Sequence, residues 1–477
     1  MCGRTEATLR AYLRRTLGVD EDSWTIQPSN IGGRGVFATR DLKPGDLVFH
    51  DRPVVWGPRA KPDEPMCSSC GRRGRVAACP AGCPLPVCSP ICAASPLHIE
   101  ECRLASSNID LPTGCWRLDL VGIVTPLRCL FLTPEDREVV QCLQGNTGKI
   151  HGVEVDLMKH HMKGKLKRED EEWMRQCCCV MDTNSFEFLR VFEDGAQTSL
   201  RGLYPLASIM NNECSPNTCH VYDANGIMKV VAARAITKGE EVTTSYSVLL
   251  WSTNIRRINL AKTKHFLCRC SRCVDPTEFG SMLSCLPCTD VQCRGLLLPG
   301  NPLKPNSPWF CGSCSMEVSP KQAAQLQAAQ GGLVQTLSLS EPPSVAQFLT
   351  DSSLPPQSQV VVQLKLGLVW QLGHKPTFTW PELSEDLLDL KVRCCRDILH
   401  LLELLNLGEC RTKGLILMEL HAALSEKYRR LKNCNPQCQD IKDEAKSVLN
   451  AAIFILGHDA AAQKDLKIRL EEMSQMA

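Results

Sequence analysis

Apolar and polar positions along the chain change their period several times, and each change marks a different kind of element. Between residues 24 and 56, short apolar runs such as 36–38 and 47–49 are set apart by glycine-bearing turns at 31–35 and 43–46. This is the pattern of short strands joined by tight turns. Residues 103–195 lack that punctuation and read as largely helical, with the charge run from Lys163 to Glu172 as a solvated helix face or loop. Strand and turn signals return from Leu203 to Tyr246 and end in an alternating stretch, 241–246. Residues 318–359 are rich in Gln, Ser and Pro, and a domain boundary is expected there. Further on, Leu387, Leu390, Cys394, Ile398, Leu401 and Leu405 recur every three or four residues and so share one helix face. Two more such stripes follow, Leu417, Leu420, Leu424, Tyr428 and Ile441, Ala445, Val448, Ala452, Ile455, which together predict an antiparallel helical stack.

With 477 residues the chain is too long for one hydrophobic core, so several packed units are expected. Its 54 basic and 52 acidic side chains nearly cancel, which leaves no global field for a nucleic-acid backbone. Direct binding to DNA or RNA is not expected. The first twenty residues carry Arg4, Arg10, Arg14 and Arg15 among apolar neighbours and read as a short helix rather than a secretory signal. The longest mostly apolar segment, 118–132, is broken by Asp119, Pro126 and Arg128 and falls short of the roughly 20 residues that cross a bilayer. An intracellular protein of the cytoplasm or nucleus, without a membrane partner and monomeric, is the expectation.

Twenty-nine cysteines change this picture most. In a reducing compartment, clustered thiols point to metal sites rather than disulfides. Cys67, Cys70, Cys79, Cys83, Cys88, Cys92, His98 and Cys102 supply eight ligands within 36 residues, enough for two tetrahedral zinc ions. A segment this short has no core of its own, and metal binding would supply its folding energy. All ligand positions are filled by protein, so the ions would be structural. The spacing resembles the MYND zinc finger with its two interleaved sites. That resemblance implies Cys67, Cys70, Cys88 and Cys92 around one ion and Cys79, Cys83, His98 and Cys102 around the other. The nearby Arg72, Arg73 and Arg75 mark a solvated loop or a binding face.

Three further pieces resemble a SET domain split by that finger. Gly33-Arg34-Gly35 precedes an apolar run and matches a Gly-x-Gly loop where backbone approaches a cofactor. Leu203-Tyr204-Pro205, the run from Ile209 to Cys214 and Ser215-Pro216-Asn217 match the family's central segment. Gly239-Glu240-Glu241 through Tyr246 matches its Gly-Glu-Glu strand. Together they identify the chain as similar to the SET-and-MYND family, perceptibly its arthropod branch. The resemblance implies an α+β, β-rich SET fold interrupted by a zinc-binding MYND finger, a post-SET zinc segment and a C-terminal all-α domain like tetratricopeptide repeats. It also implies a cofactor, S-adenosylmethionine, and the activity of a protein-lysine N-methyltransferase on histone or other proteins. Tyr246 would be the central catalytic residue, orienting the amine. Gly33, Arg34, Gly35, Asn184, Asn211, Asn212, Tyr246 and Phe266 would contact the cofactor. Cys268, Cys270 and Cys273 with Cys214 would bind the post-SET zinc.

Two departures bear on activity. Asn212 stands where the family has His, followed by Glu213 in place of Ser, and Lys264 stands where relatives have a second channel Tyr. A cationic amine there would oppose a charged substrate lysine unless it is neutral or turned away. An alternative reading is therefore a non-catalytic adaptor whose finger binds proline-rich peptides. Beyond the SET region, Cys285, Cys288, Cys293, Cys311 and Cys314 offer five thiols for one more zinc site; Cys285, Cys311 and Cys314 are expected ligands, with the choice between Cys288 and Cys293 open. The adjacent His160 and His161 and the consecutive Cys177, Cys178 and Cys179 have no chelating spacing and read as packing residues. The expected organisation is 1–66 (N-terminal helix and SET N-part), 67–102 (finger), 103–200 (helical insertion), 201–250 (SET core), 251–280 (post-SET), 281–316 (Cys ribbon) and 317–477 (helical domain).

Overall fold

The computed structural model describes residues 2–58, 63–109, 111–112, 114–149, 151–163, 165–431 and 438–475. An amphipathic helix, Cys2–Leu17, buries Leu9, Tyr12 and Leu13 against the first strand. Strands β1 (Trp24–Pro28), β2 (Arg34–Ala38), β3 (Leu47–Asp51) and β4 (Val55–Gly57) come before the finger. β5 (Phe186–Val191), β6 (Gln197–Leu203), β7 (Asn211–Asn212), β8 (Thr218–Tyr222), β9 (Met228–Ala232) and β10 (Glu241–Thr244) come after it. They form three small sheets, ordered β1-β2-β10-β7, β3-β9-β8 and β4-β6-β5. Each sheet takes strands from both sides of the interruption. Alternate strand residues, among them Trp24, Val36, Phe49, Leu203, Val230 and Val242, meet in one core.

The interruption consists of the finger and then helices Leu118–Val121, Val124–Leu130, Pro134–Gln141, Val153–His161 and Arg168–Asn184, but the end of the stretch read as helical is strand: β5 lies within it and pairs with β6. Cys177 and Cys178 are buried on the last of these helices, which packs on Val124–Leu130. His161 Nε2 reaches Asp119 Oδ2 at 3.3 Å, a packing role. Arg128 fastens finger to sheet. Its Nε meets Glu101 Oε1 at 2.6 Å, Nη2 donates to Ser68 O at 2.6 Å and Nη1 to Trp56 O at 2.8 Å. Both charges of this ion pair are buried, and removing one partner from such a pair costs about 3–5 kcal/mol.

After the SET strands a separate sheet is formed by β11 (Leu286–Pro287), β12 (Leu296–Pro299), β13 (Trp309–Cys311) and β14 (Glu317–Val318), in sequential antiparallel order. The helical region then begins earlier than its composition suggests. Residues 320–351 form helices Pro320–Ser338 and Pro342–Asp351, the first opened by Pro320 and a capping box between Ser319 and Gln322. Only Ala323 of the first helix is buried, so its other positions are free to be Gln and Gly and show no apolar stripe. Helices Gln359–Gln371, Glu385–Leu404, Arg411–Leu431, Cys438–Leu456 and Gln463–Gln475 complete the stack, with the predicted stripes inside. No helix among the described residues is long and apolar enough to cross a membrane.

The stack leans back on the SET strands. Ser215 Oγ donates to Leu405 O at 2.8 Å, Glu409 N–H to Ala233 O at 2.7 Å and Ala460 N–H to Tyr222 O at 2.8 Å. Gly408, at φ +56°, makes this approach possible: a Cβ there would lie 2.2 Å from Ala233 O.

Candidate active site and metal centres

The site is assembled where β2, β7 and β10 meet. β10 runs antiparallel to β2, pairing Val242 with Val36, and parallel to β7, pairing Thr243 with Asn211 and Thr244 with Asn212. Asn217 completes the junction with its side chain. Its Oδ1 accepts from Thr243 N–H at 2.8 Å and its Nδ2 donates to Glu241 O at 2.8 Å. Asn211 Nδ2 donates to Arg34 O at 3.0 Å and to Glu241 Oε1 at 2.6 Å, while Ser29 donates to Glu241 Oε2 at 2.7 Å. Glu241 thus ties the glycine loop to the central segment. Gly35 is required there, because a Cβ would stand 2.2 Å from Glu241 Oε1 and 3.2 Å from Asn211 Nδ2.

Two of the cavities beside this junction share a wall. The larger, about 650 Å³, is walled by Gly32, Gly33, Arg34, Asn211 and Asn212 on one side and by Lys264, His265 and Phe266 on another. The smaller, about 310 Å³, is walled by Phe186, Ser247, Val248, Trp251 and Asn259. Five residues line both: Thr183, Asn184, Ser208, Tyr246 and Lys264. All the sequence-derived cofactor candidates except Gly35 lie on the larger wall; Gly35 stands behind it. The Arg34 guanidinium donates to Thr5 Oγ1 at 2.6 Å and Cys142 O at 2.7 Å, residues that line a further cavity of about 760 Å³. The segment 144–147 also lines the larger cavity and was missed by motif reading. Its Gly145-Asn146 pair, a turn signal inside a helical region, was the available hint.

Tyr246 is held at both ends. Its N–H donates to Asn212 Oδ1 at 2.8 Å and its hydroxyl to Met210 O at 2.5 Å. Burial pushes its pKa up to about 12, so the phenol stays neutral near pH 7. Asn212 in turn donates from Nδ2 to Cys268 Sγ at 3.6 Å, which couples the tyrosine to the post-SET cysteines. Asn184 Nδ2 donates to Gln144 O at 2.7 Å and Val180 O at 2.8 Å, closing the end of its helix. Phe266 stands edge-on to Tyr246, ring centroids 6.4 Å apart, with 36% of its surface exposed at the cavity rim. Lys264 follows helix Thr253–Thr263; its Nζ donates to Thr183 O at 2.6 Å and lies 5.3 Å from the centre of the Tyr246 ring. Burial lowers its pKa, partly opposed by Asp182.

Among the described residues, four groups of metal-ligating side chains have their donor atoms within 4.8 Å of one another: Cys67, Cys70, Cys88, Cys92; Cys79, Cys83, His98, Cys102; Cys214, Cys268, Cys270, Cys273; and Cys288, Cys293, Cys311, Cys314. A tetrahedral ion with bonds to sulfur of about 2.3 Å would hold its sulfurs about 3.8 Å apart. Measured pairs fit: 3.6 Å for Cys70 and Cys88, 3.9 Å for Cys79 and Cys102, 3.6 Å for Cys214 and Cys273, 3.8 Å for Cys293 and Cys311. His98 presents Nε2 to Cys79 at 3.3 Å and keeps Nδ1 near buried Glu101, 3.7 Å away, the outer partner that fixes a ligating ring. Cys285 stands outside the fourth group, contrary to expectation, and both Cys288 and Cys293 belong to it. Cys285 and Cys288 bracket β11 at an odd separation, so they face opposite sides, and Cys285 is buried toward the core with its pKa pushed up to about 12. Beside the third group, Arg256 and Arg272 share the carboxylate of Glu278, all fully buried; Arg272 also donates to Cys214 O at 2.9 Å and Arg256 Nη2 to Cys273 Sγ at 3.5 Å. Two guanidinium charges against one carboxylate leave a positive charge beside the four thiols, which suits a metal-thiolate group that is net negative.

The family model for the SET domain matches residues 33–247. The Drosophila melanogaster protein named SET domain-containing protein SmydA-8, isoform B, is 32% identical over 413 residues, covering 84% of this chain and 91% of its own. Histone-lysine N-methyltransferase ASHR1 of Arabidopsis thaliana is 25% identical over 56% of this chain and 59% of its own. Histone-lysine N-methyltransferase SMYD3 of Homo sapiens is 26% identical over 53% and 61%. A solved SET domain of LSMT, bound to lysine and AdoHcy, aligns with 99% of this chain and 92% of its own at 13% identity and a TM-score of 0.28, a likeness too weak to argue from. With the split SET strands, the two interleaved finger groups and a relative matched over most of both chains, this chain belongs to the SET-and-MYND family of SET-domain proteins.

Proposed function

We propose that this protein transfers a methyl group from S-adenosylmethionine to lysine side chains of histone or other proteins. The observation that carries this reading is that two cavities, one lined by the glycine loop and the other by Phe186, Val248 and Trp251, share a wall that includes Tyr246. Displacement at a methyl carbon needs donor and acceptor in line from opposite sides, and little else from the enzyme. The larger cavity suits the cofactor in volume and in lining. Asn211, Asn184 and the backbone at Gly33 would hold its polar end, and the Phe266 ring at the rim would stack on a flat base. When bound, the cofactor supplies an electrophilic methyl carbon on a sulfonium. Phe186, Val248 and Trp251 offer the aliphatic stem of an acceptor lysine an apolar passage to Tyr246. The tyrosine, anchored and neutral, orients the amine rather than taking its proton. One zinc on each of the four ligand groups belongs to the same reading, and the third ties the segment carrying Phe266 to Asn212.

Calorimetric titration of the zinc-loaded protein with S-adenosylmethionine tests the reading, with Asn211→Ala as control. Saturable binding to the wild type, weakened at least tenfold in the variant, followed by labelled methyl transfer to protein acceptors, is the expected result. One feature favours a second reading, a binding adaptor that uses the finger for proline-rich peptides: the Lys264 amine lies within the acceptor cavity. Absence of any cofactor binding by the folded protein would select the adaptor.

A further inference from the structure

Lys264 places a primary amine on the wall shared by both cavities. Its Nζ is 5.3 Å from the ring centre of Tyr246, the residue oriented to direct an acceptor amine, and it donates to the Thr183 carbonyl at 2.6 Å. The backbone aims it there. Helix Thr253–Thr263 ends at Lys264, and the next residue, His265, adopts φ +63°, a left-handed conformation uncommon outside glycine. That turn presents Lys264 and Phe266 to the same cavity. One hydrogen bond to a carbonyl uses one of the three donors of an ammonium, and among the described residues no carboxylate forms an ion pair with this amine; Asp182 acts on it only at longer range. A buried lysine without a paired carboxylate gives up its proton more readily than an exposed one, and the neutral amine is the nucleophile.

Resting on the methyl-transfer reading above, we infer that Lys264 is itself an acceptor, a self-methylation site filled from within the same chain. In the step, the nitrogen lone pair of Lys264 forms a bond to the methyl carbon of a methylsulfonium donor. The carbon–sulfur bond breaks with its electron pair passing to sulfur, a neutral thioether leaves, and the resulting secondary ammonium releases a proton to water. Rotation about the long lysine stem carries the amine from Thr183 O toward the cofactor cavity that it already lines. A single methyl leaves a donor for Thr183 O, so the methylated side chain can return to its resting contact.

The test needs no external substrate. The purified zinc-loaded protein is incubated with isotopically labelled S-adenosylmethionine at two concentrations tenfold apart, then digested and mapped by mass spectrometry. One label per chain on Lys264 is expected, at a rate per chain unchanged by dilution, and absent in Lys264→Arg. Two further readouts are made, the second independent of turnover. Protein isolated from the expressing cell should already carry a fraction of methylated Lys264. In cofactor-free protein, Lys264 should also be acylated by acetic anhydride at a lower pH than exposed lysines, with added S-adenosylhomocysteine suppressing the reaction. Bound cofactor with Lys264 unlabelled, or label only on other lysines, overturns this inference and leaves methyl transfer to other proteins standing. Failure to bind the cofactor overturns both.

Discussion

At the scale of single residues, side-chain hydrogen bonds across long stretches of sequence set the geometry of the site. Asn212 replaces a histidine, yet its amide performs two tasks at once, accepting from Tyr246 N–H and donating to Cys268 Sγ. Asn212→Ala leaves Tyr246 N–H without its acceptor and removes a donor from Cys268 Sγ, and stability to urea should fall by about 1–3 kcal/mol. Asn212→Asp keeps the acceptor but sets a carboxylate against thiolates, so it should release zinc from the third group more readily than Asn212→Ala in a chelator competition. Gly35→Ala drives a Cβ into Glu241 and Asn211, and cofactor affinity measured by calorimetry should drop by roughly tenfold or more, about 1.4 kcal/mol. Neither Asn212 partner was legible in the sequence, because Cys268 is 56 positions away and periodicity says nothing about which side chain reaches it. The direction of Lys264 was equally hidden: its residue type signalled a conflict, while the left-handed turn that aims it was not visible in the sequence pattern.

At the scale of elements, Asp51 shows how the end of one strand positions the central segment. It closes β3 and accepts from Ala207 N–H at 2.8 Å and Arg52 N–H at 2.9 Å, fixing the short turn Ala207–Ile209 from which Asn211 follows. Burial raises its pKa from 3.8 to about 8, against the opposing hydrogen bonds. The folded state therefore binds more protons than the unfolded state between these values. Stability from this group is fully present below pH 4 and is lost as pH rises toward 8. Asp51→Asn, which stays neutral and retains an acceptor, should flatten the dependence of the urea midpoint between pH 5 and 8; an unchanged slope would assign that dependence to other groups. Strands β1–β4 and the stripes of the tail were readable because their periods are local, whereas β5 lay within a stretch read as helical. The helices at 320–351 were not, since an element that buries little shows no stripe, and Cys285 was misassigned because strand face, not spacing, chooses the thiol.

At the scale of the whole molecule, the four ligand groups differ in how far water reaches them. The group of Cys79, Cys83, His98 and Cys102 is wholly buried, whereas that of Cys288, Cys293, Cys311 and Cys314 ends in an exposed thiol. Stepwise chelation monitored by a zinc-sensitive dye should empty the ribbon first and that finger group last. The groups were legible as clusters because zinc ligands pair at short range, with Cys214 the exception that only family resemblance supplied. The order in which the chain leaves the ribosome adds another consequence. Ser29, beside the glycine loop, bonds Glu241 across 212 positions, and at about 5–20 residues per second the loop waits roughly 10–40 s for its partner to be made. During that interval the finger, whose ligands all lie within a short span, can fold on its metal. The part of the site made first is thus the last to be completed, and a cell short of zinc would leave a half-built pocket exposed to chaperones and proteases while the remainder is still being synthesised.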